Sequence, residues 1–286
     1  MTDNRRTVLI TGCSSGIGYR TAHDLAARGW QVFASARKAD DVARLATEGL
    51  TGVVLDYANE ASMTAAVDTV LTATGGRLDA LFNNGGFAQA GALEDLDTEL
   101  LRNQFEVNLF GWHALTRQVI PTMRGQGHGR ILFCSSILGL VPARFRGAYV
   151  ASKYAVEGYA DTLRNELHEA GIQVVLIEPG PIASNFRATA IANIHETVPI
   201  DDSVHSDAYR RDLSGRKDGH TSDPFRRGPE AVAAKVIHAL ESRTPRARYP
   251  VTIPAHLGSF LRRALPTRTL DRIVRRTRKR PDTETQ

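Results

Sequence analysis

"TVLITGCSSGIG", residues 7–18, decides the fold. Its opening run, "TVLIT" (7–11), is β-branched or apolar almost throughout, the composition of a strand buried on both faces. Glycines follow as G-x-x-x-G-x-G at Gly12, Gly16 and Gly18. Glycine permits a tight turn there and lets an anionic group approach the backbone. A helical pattern over 17–28 begins at once, so its unpaired N–H groups and positive dipole end face the turn. Any strand-to-helix turn carries glycine for steric reasons, so the glycines alone are a weak signal. Strand before and helix after supply the context the pattern needs.

The same alternation continues outward. "QVFASA" (31–36), "GVVLD" (52–56), "LDALFN" (78–83), "RILFCS" (130–135) and "IQVVLIE" (172–178) read as further strands, with helical patterns over 60–74, 98–124 and 148–170. Alternating strand and helix implies right-handed βαβ units, hence an α/β fold: one Rossmann-type, doubly wound parallel sheet flanked by helices. After Pro179 the texture changes. Residues 185–228 are polar and poor in apolar anchors, which fits either disorder or a lid over a ligand site at the carboxyl end of a strand. A partly ordered lid is the expectation here. Residues 229–243 return to a helical pattern opened by Pro229.

The 286 residues suit one large α/β domain, with 42% hydrophobic and 23% charged residues typical of a globular chain. Two cysteines, Cys13 and Cys134, form no disulfide framework, and nine histidines show no H-x-x-x-H pair, so no structural zinc is expected. No signal-peptide core opens the sequence, and no stretch reaches the about 20 apolar residues a membrane span needs, so a cytoplasmic protein is expected. Residues 262–280 hold eight Arg and one Lys against one Asp, a local net of +8; with +5 for the whole chain, the rest sums to −3. The basic character therefore belongs to the tail. Within 255–276 apolar residues such as Leu257, Phe260, Leu261, Leu265, Leu270, Ile273 and Val274 recur at near-helical spacing with arginines between them. This basic amphipathic extension, 255–286, suits an anionic membrane surface, or packing on the domain or a sister subunit with its arginines solvated. No recognition motif accompanies the charge, so nucleic acid is not an expected partner.

A second stretch, "RGAYVASKYAVEGYADTL" (146–163), places Tyr149, Tyr154 and Tyr159 around Lys153. Tyr149 and Lys153 stand four apart, on one helix face. Tyr154 points about 100° away, and Tyr159 also leaves that face. With the glycine spacing and "AYVASK", the sequence resembles the short-chain dehydrogenase/reductase family over residues 7 to about 243. Residues 1–254 then form the dinucleotide-binding domain, with 185–228 as its lid. The resemblance implies Tyr149 as proton donor, Lys153 as the group that tunes it and holds the nicotinamide ribose, and Ser136, rather than the turn former Ser135, as donor to a substrate carbonyl. A phenol with a pKa near 10 needs such tuning to work near neutrality. Asn108, buried among apolar neighbours in "FEVNLFG", is implied to distort its helix and hold a water beside the lysine.

The cofactor residues carried over from the resemblance are Gly12, Ser14, Ser15, Gly16, Ile17 and Gly18 in the first loop and Asp56 near the adenine. Asn83, Asn84 and Gly85 follow the fourth strand, where glycine replaces the family's alanine. Pro179, Gly180, Ile182 and Ser184 match the P-G-x-x-x-[ST] pattern at the nicotinamide. "ASARK" puts Ala36 and Arg37 where NAD-dependent members carry an acid, so NADP is the expected cofactor. The closest likeness is to members that act on retinal, steroid ketones and medium-to-long aldehydes, with "PARFRG" (142–147), Phe186 and Phe225 available to line an apolar pocket. The expected activity is NADPH-dependent carbonyl reduction. A non-catalytic NADP-binding redox sensor and an NAD-linked alcohol dehydrogenase are the alternatives. Dimers or tetramers through helices 98–124 and 148–170 are implied by the same resemblance.

Overall fold

The structure, a computed structural model, describes residues 5–214 and 224–276. Part of the expected lid (215–223) and of the basic tail (277–286) lies outside these residues. Seven parallel strands form one sheet in the order β3-β2-β1-β4-β5-β6-β7. They are β1 (Thr7–Ile10), β2 (Gln31–Ala36), β3 (Thr51–Val54), β4 (Ala80–Asn83), β5 (Gly129–Cys134), β6 (Ile172–Glu178) and β7 (Arg248–Pro250). Four central strands bury nearly every residue, which is why they read as unbroken apolar runs. The order reverses between β1 and β4, and the loops leaving their carboxyl ends meet there, where open α/β sheets hold ligands.

Helices α1 (Gly16–Ala26), α2 (Ala39–Thr47), α3 (Glu60–Thr74), α4 (Thr98–Phe105), α5 (Gly111–Gln126) and α6 (Gly147–Glu166) form the crossovers. The expected long helix over 98–124 is α4 and α5 joined by a π-helical turn at Glu106–Phe110. Asn108 sits fully buried in that turn. A π turn widens the helix by one residue and is often found at functional sites. Helices α7 (Phe186–Thr197) and α8 (Ser206–Ser214) occupy the polar stretch after β6, so that stretch carries ordered structure despite its composition. Helix α9 (Pro229–Glu241) packs on α1 and leads to β7. The chain then forms α10 (Ile253–Ala264) and α11 (Thr267–Arg276). Among the described residues no helix is long and apolar enough to cross a membrane.

Candidate active site

The glycine loop is built around one hydroxyl. Thr11 Oγ1 accepts from the backbone N–H of Asn84 (2.9 Å) and Gly85 (3.0 Å), and it lies 2.7 Å from Tyr57 Oη and 3.2 Å from Phe82 O. This gathers the loops after β1 and β4 into one unit. They approach so closely that a Cβ on Gly12, at φ +69°, would lie 2.6 Å from Gly85 Cα, and one on Gly18 would lie 2.4 Å from Gly12 O. The backbone is bare here because nothing larger than hydrogen fits. Helix α1 starts at Ser15 without a side-chain cap, so its first amides remain for a ligand. Ser14 and Ser15 are exposed beside them, Ile17 is half-buried against the core, and a Cβ on Gly16 would stand 3.3 Å from Ser184 Cβ.

The asparagine pair brace this loop. Asn83 is fully buried, accepts from Tyr57 Oη (2.9 Å) and donates to Thr116 Oγ1 (3.1 Å), so its side chain is spent inside the protein and does not face the cleft. Asn84 Nδ2 donates to Thr11 O (2.9 Å) and Gly12 O (3.3 Å). A Cβ on Gly85 would stand 3.2 Å from both Gly12 N and the Tyr57 ring, so the family's alanine needs only a small adjustment. Sequence reasoning missed Thr11, Tyr57 and Arg44 as site builders. Arg44 Nη2, on α2, donates to Ser14 O (2.7 Å), a contact between positions 30 apart that no local pattern reveals.

At the end of β2, Arg37 and Lys38 are exposed and no acid stands at the strand terminus. Asp56, after β3, accepts from Ala58 N (3.0 Å) and is half-buried. Pro179 and Gly180 follow β6, and Ile182 pairs as an isolated bridge with Arg227. Ala183 N donates to Arg227 O (2.8 Å) and Arg227 N to Pro181 O (3.1 Å), so the segment leaves the sheet end and returns to it. The bare glycine cradle and the open α1 amides fit a nicotinamide dinucleotide.

Tyr149 and Lys153 lie on the buried face of α6, beside Ser136 past the end of β5. Lys153 Nζ donates to Cys134 O (2.8 Å), stands 4.3 Å above the Trp112 ring and 5.6 Å from the centre of the Tyr149 ring. Burial pulls the Lys153 ammonium down to about 8. Burial also raises the Tyr149 phenol, with Cys134 adding to the rise and a hydrogen bond from Ser136 opposing it. The Lys153 ammonium points at the Cys134 carbonyl, and burial is the largest influence on the phenol. Ser136 Oγ accepts from Leu138 N (3.1 Å), which fixes the serine.

Asn108 binds the Phe87 backbone in both directions, accepting at 3.2 Å and donating at 3.0 Å. Its Nδ2 also reaches Ser152 Oγ (3.4 Å), the residue before Lys153. Tyr154 donates to Leu140 O (2.7 Å), and Tyr159 packs on Phe133 and His113, so both serve packing.

Helix α7 covers the pair. Phe186 lies 5.6 Å from the Tyr149 ring, and Ala190, Ala88 and Leu138 complete an apolar lining. Phe145 does not line the pocket. It is buried against Tyr209 (4.7 Å) and His205 (5.4 Å) and, with Ile194 and Val198, packs α7 and α8 together. Tyr209 Oη donates to Asp95 Oδ2 (2.7 Å) at the same place. Phe225 is 43% exposed.

A third group lies behind Lys153. Glu157, one turn further along α6, and Glu178, at the end of β6, both bind Arg248 of β7, which also holds Asp161 (2.5 Å). Burial and the neighbouring Glu178 push the Glu157 carboxyl up to about 7, against the pull of Arg248. The cluster ties the Tyr149 helix to the strand that ends in Pro179 and Gly180.

A doubly wound parallel sheet with a tyrosine, lysine and serine at its carboxyl edge defines a dinucleotide-dependent oxidoreductase class. The family described as "short chain dehydrogenase" matches residues 6–194, and the chain belongs to that family. It is 42% identical to the uncharacterized oxidoreductase YbbO of Escherichia coli (strain K12) over 94% of both chains. It is 32% identical to retinol dehydrogenase 8 of Bos taurus, over 87% of this chain and 82% of that protein. Among solved structures, an actinorhodin polyketide ketoreductase with NADPH superposes with a TM-score of 0.73 at 27% identity, covering 90% of this chain and 99% of that one.

Proposed function

We propose that this oxidoreductase is an NADPH-dependent reductase of apolar aldehydes or ketones. The observation that carries the reading is the buried Tyr149 beside Ser136, with Lys153 one turn on, under the apolar roof of Phe186, Ala190 and Leu138. The bound dinucleotide supplies the hydride for the carbonyl carbon. Ser136 Oγ donates a hydrogen bond to the carbonyl oxygen, where charge develops. Tyr149 holds the proton delivered to that oxygen, and its raised pKa keeps it protonated as the reaction begins. Lys153 Nζ spends one of three donors on Cys134 O and has two for ribose hydroxyls. Asn108 positions α6 through Ser152 and holds a water near the lysine.

Gly12, Ser14, Ser15, Gly16 and Gly18 would hold the pyrophosphate side, Asp56 the adenine, and Gly180, Ile182 and Ser184 the nicotinamide. Arg37 would pair with a 2′-phosphate, and the ketoreductase with NADPH supports that assignment. The likeness to retinol dehydrogenase 8 and the apolar roof support retinoid-like or steroid-like carbonyls over short polar ones. Subunits pair through α4–α5 and α6, the two long helices, and the exposed Phe110 supports a covered face there. Consumption of NADPH and NADH with aliphatic aldehydes, retinal and steroid ketones tests the reading. Turnover of an apolar carbonyl with NADPH is expected; preference for NADH, or binding of NADPH without turnover, contradicts it.

A further inference from the structure

Helix α10 is seated on the domain by its smallest residues and turns its largest outward. Ala255 and Gly258 are buried, and a Cβ on Gly258 would stand 3.0 Å from Ile137 Cδ1, beside the loop that carries Ser136. On the opposite side, Ile253 is 60%, Leu257 53% and Phe260 67% exposed. Their spacing of i, i+4 and i+7, continued by Ala264 at i+11, makes one stripe along the helix. A helix packed only on its own domain would place these side chains inward. Helix α11 follows directly. It buries Leu270 and exposes Arg268, Arg272 and Arg275 at the same i, i+4, i+7 spacing, while Arg262 and Arg263 are exposed at the end of α10. The two amphipathic helices thus join a bulky apolar stripe to the segment that holds the chain's excess positive charge, +8 over residues 262–280 against −3 elsewhere.

We propose that α10 and α11 dock this protein on an anionic lipid surface, with Ile253, Leu257 and Phe260 inserted at the acyl boundary and the arginines among the headgroups. Apolar side chains alone would serve a neutral surface, and arginines alone any polyanion; the combination fits a negatively charged bilayer face. A second copy of this chain is the weaker occupant, because it would bring an identical +8 segment against the first. Three large side chains also fall well short of the about 800 Å² per partner of a stable interface. The docking stands independently of the reaction proposed above.

The full chain is tested by co-sedimentation with phosphatidylcholine vesicles, with and without about 30% phosphatidylserine. Binding is expected to the anionic vesicles only, weakening about tenfold or more as salt rises from about 50 to about 300 mM. Leu257→Asp with Phe260→Asp, and separately Arg268→Gln, Arg272→Gln and Arg275→Gln together, should each reduce vesicle binding about tenfold or more. Both sets should keep the wild-type circular dichroism and NADPH affinity, since the altered residues are exposed and none belongs to the dinucleotide cradle or the Tyr149 site. Three results would overturn the proposal: equal binding to neutral vesicles, variants that bind like wild type, or light scattering that shows a dimer dispersed by Leu257→Asp with Phe260→Asp. Preference for duplex DNA over anionic vesicles would overturn it as well.

Discussion

Replacing Lys153 by methionine should make the protein more stable at neutral pH while removing a residue proposed to be needed for activity. In the folded protein, burial lowers the Lys153 ammonium from 10.5 to about 8. Between those values the folded state binds fewer protons than the unfolded state, so stability rises with pH across this window. At pH 7 the buried charge therefore costs roughly 3 kcal/mol. Methionine has nearly the same volume and no charge, but it leaves the Cys134 carbonyl without its 2.8 Å donor. That loss costs about 1 kcal/mol, so a net gain of about 2 kcal/mol is expected at pH 7. By pH 10 the wild-type lysine is largely neutral in the folded state, and the advantage should shrink by about 2 kcal/mol. The assay is urea unfolding of both proteins at one protein concentration, from pH 7.5 to pH 10. That range lies above Glu157, at about 7, and below Cys134, at about 11, so Lys153 dominates the difference. A methionine variant less stable than wild type at pH 7.5, with a gap that does not move with pH, would refute the reasoning.

The Glu157 carboxyl, raised to about 7, keeps its proton longer in the folded state, so it makes wild-type stability fall as pH climbs from about 4.5 to about 7. Glu157→Gln should flatten that part of the curve by up to about 3 kcal/mol, read from urea midpoints between pH 5 and 8. Arg248→Met leaves two buried carboxylates without their shared cation and should destabilise by about 3–5 kcal/mol at pH 8, and less at pH 5; thermal midpoints at the two values check it. Arg37→Asp should move the NADPH-to-NADH affinity ratio toward NADH by a factor on the order of 100, measured by fluorescence titration. Gly18→Ala puts a Cβ 2.4 Å from Gly12 O and should weaken dinucleotide binding by at least about tenfold while costing about 1–3 kcal/mol in stability.

The sheet was legible because its central strands are short apolar runs separated by helix-length amphipathic segments, and each element type has its own period. Strand β7 was not, because three residues pairing at a sheet edge leave no periodic trace. Helices α7 and α8 were hidden by a polar composition. Their anchors are a few scattered residues, Phe145, Ile194 and Tyr209, brought together only by the fold. At the site, spacing puts Tyr149 and Lys153 on one helix face, whereas the choice of Ser136 over Ser135 and the roles expected of Tyr149, Lys153 and Asn108 came with the family resemblance. Tyr57, Thr11 and Arg248 act through contacts between distant positions, which no local spacing encodes. Phe145 sits at φ +60°, a strained setting for a bulky side chain, and neither its anchoring role nor that backbone is visible in "PARFRG". The tail's apolar periodicity was plain. Which face is docked was not, because periodicity identifies a stripe without saying what it meets, and here small Ala255 and Gly258 rather than the bulky stripe face the domain.

The most direct test of the central claim compares wild type with Tyr149→Phe in NADPH oxidation against apolar aldehydes, retinal and steroid ketones, with NADPH binding measured on the same preparations. The account predicts turnover by wild type, a loss of about 100-fold or more in Tyr149→Phe, and NADPH affinity within a few-fold of wild type. Undiminished turnover by Tyr149→Phe would contradict the role given to that hydroxyl. Tight NADPH binding by both proteins with no turnover by either would contradict the enzyme itself.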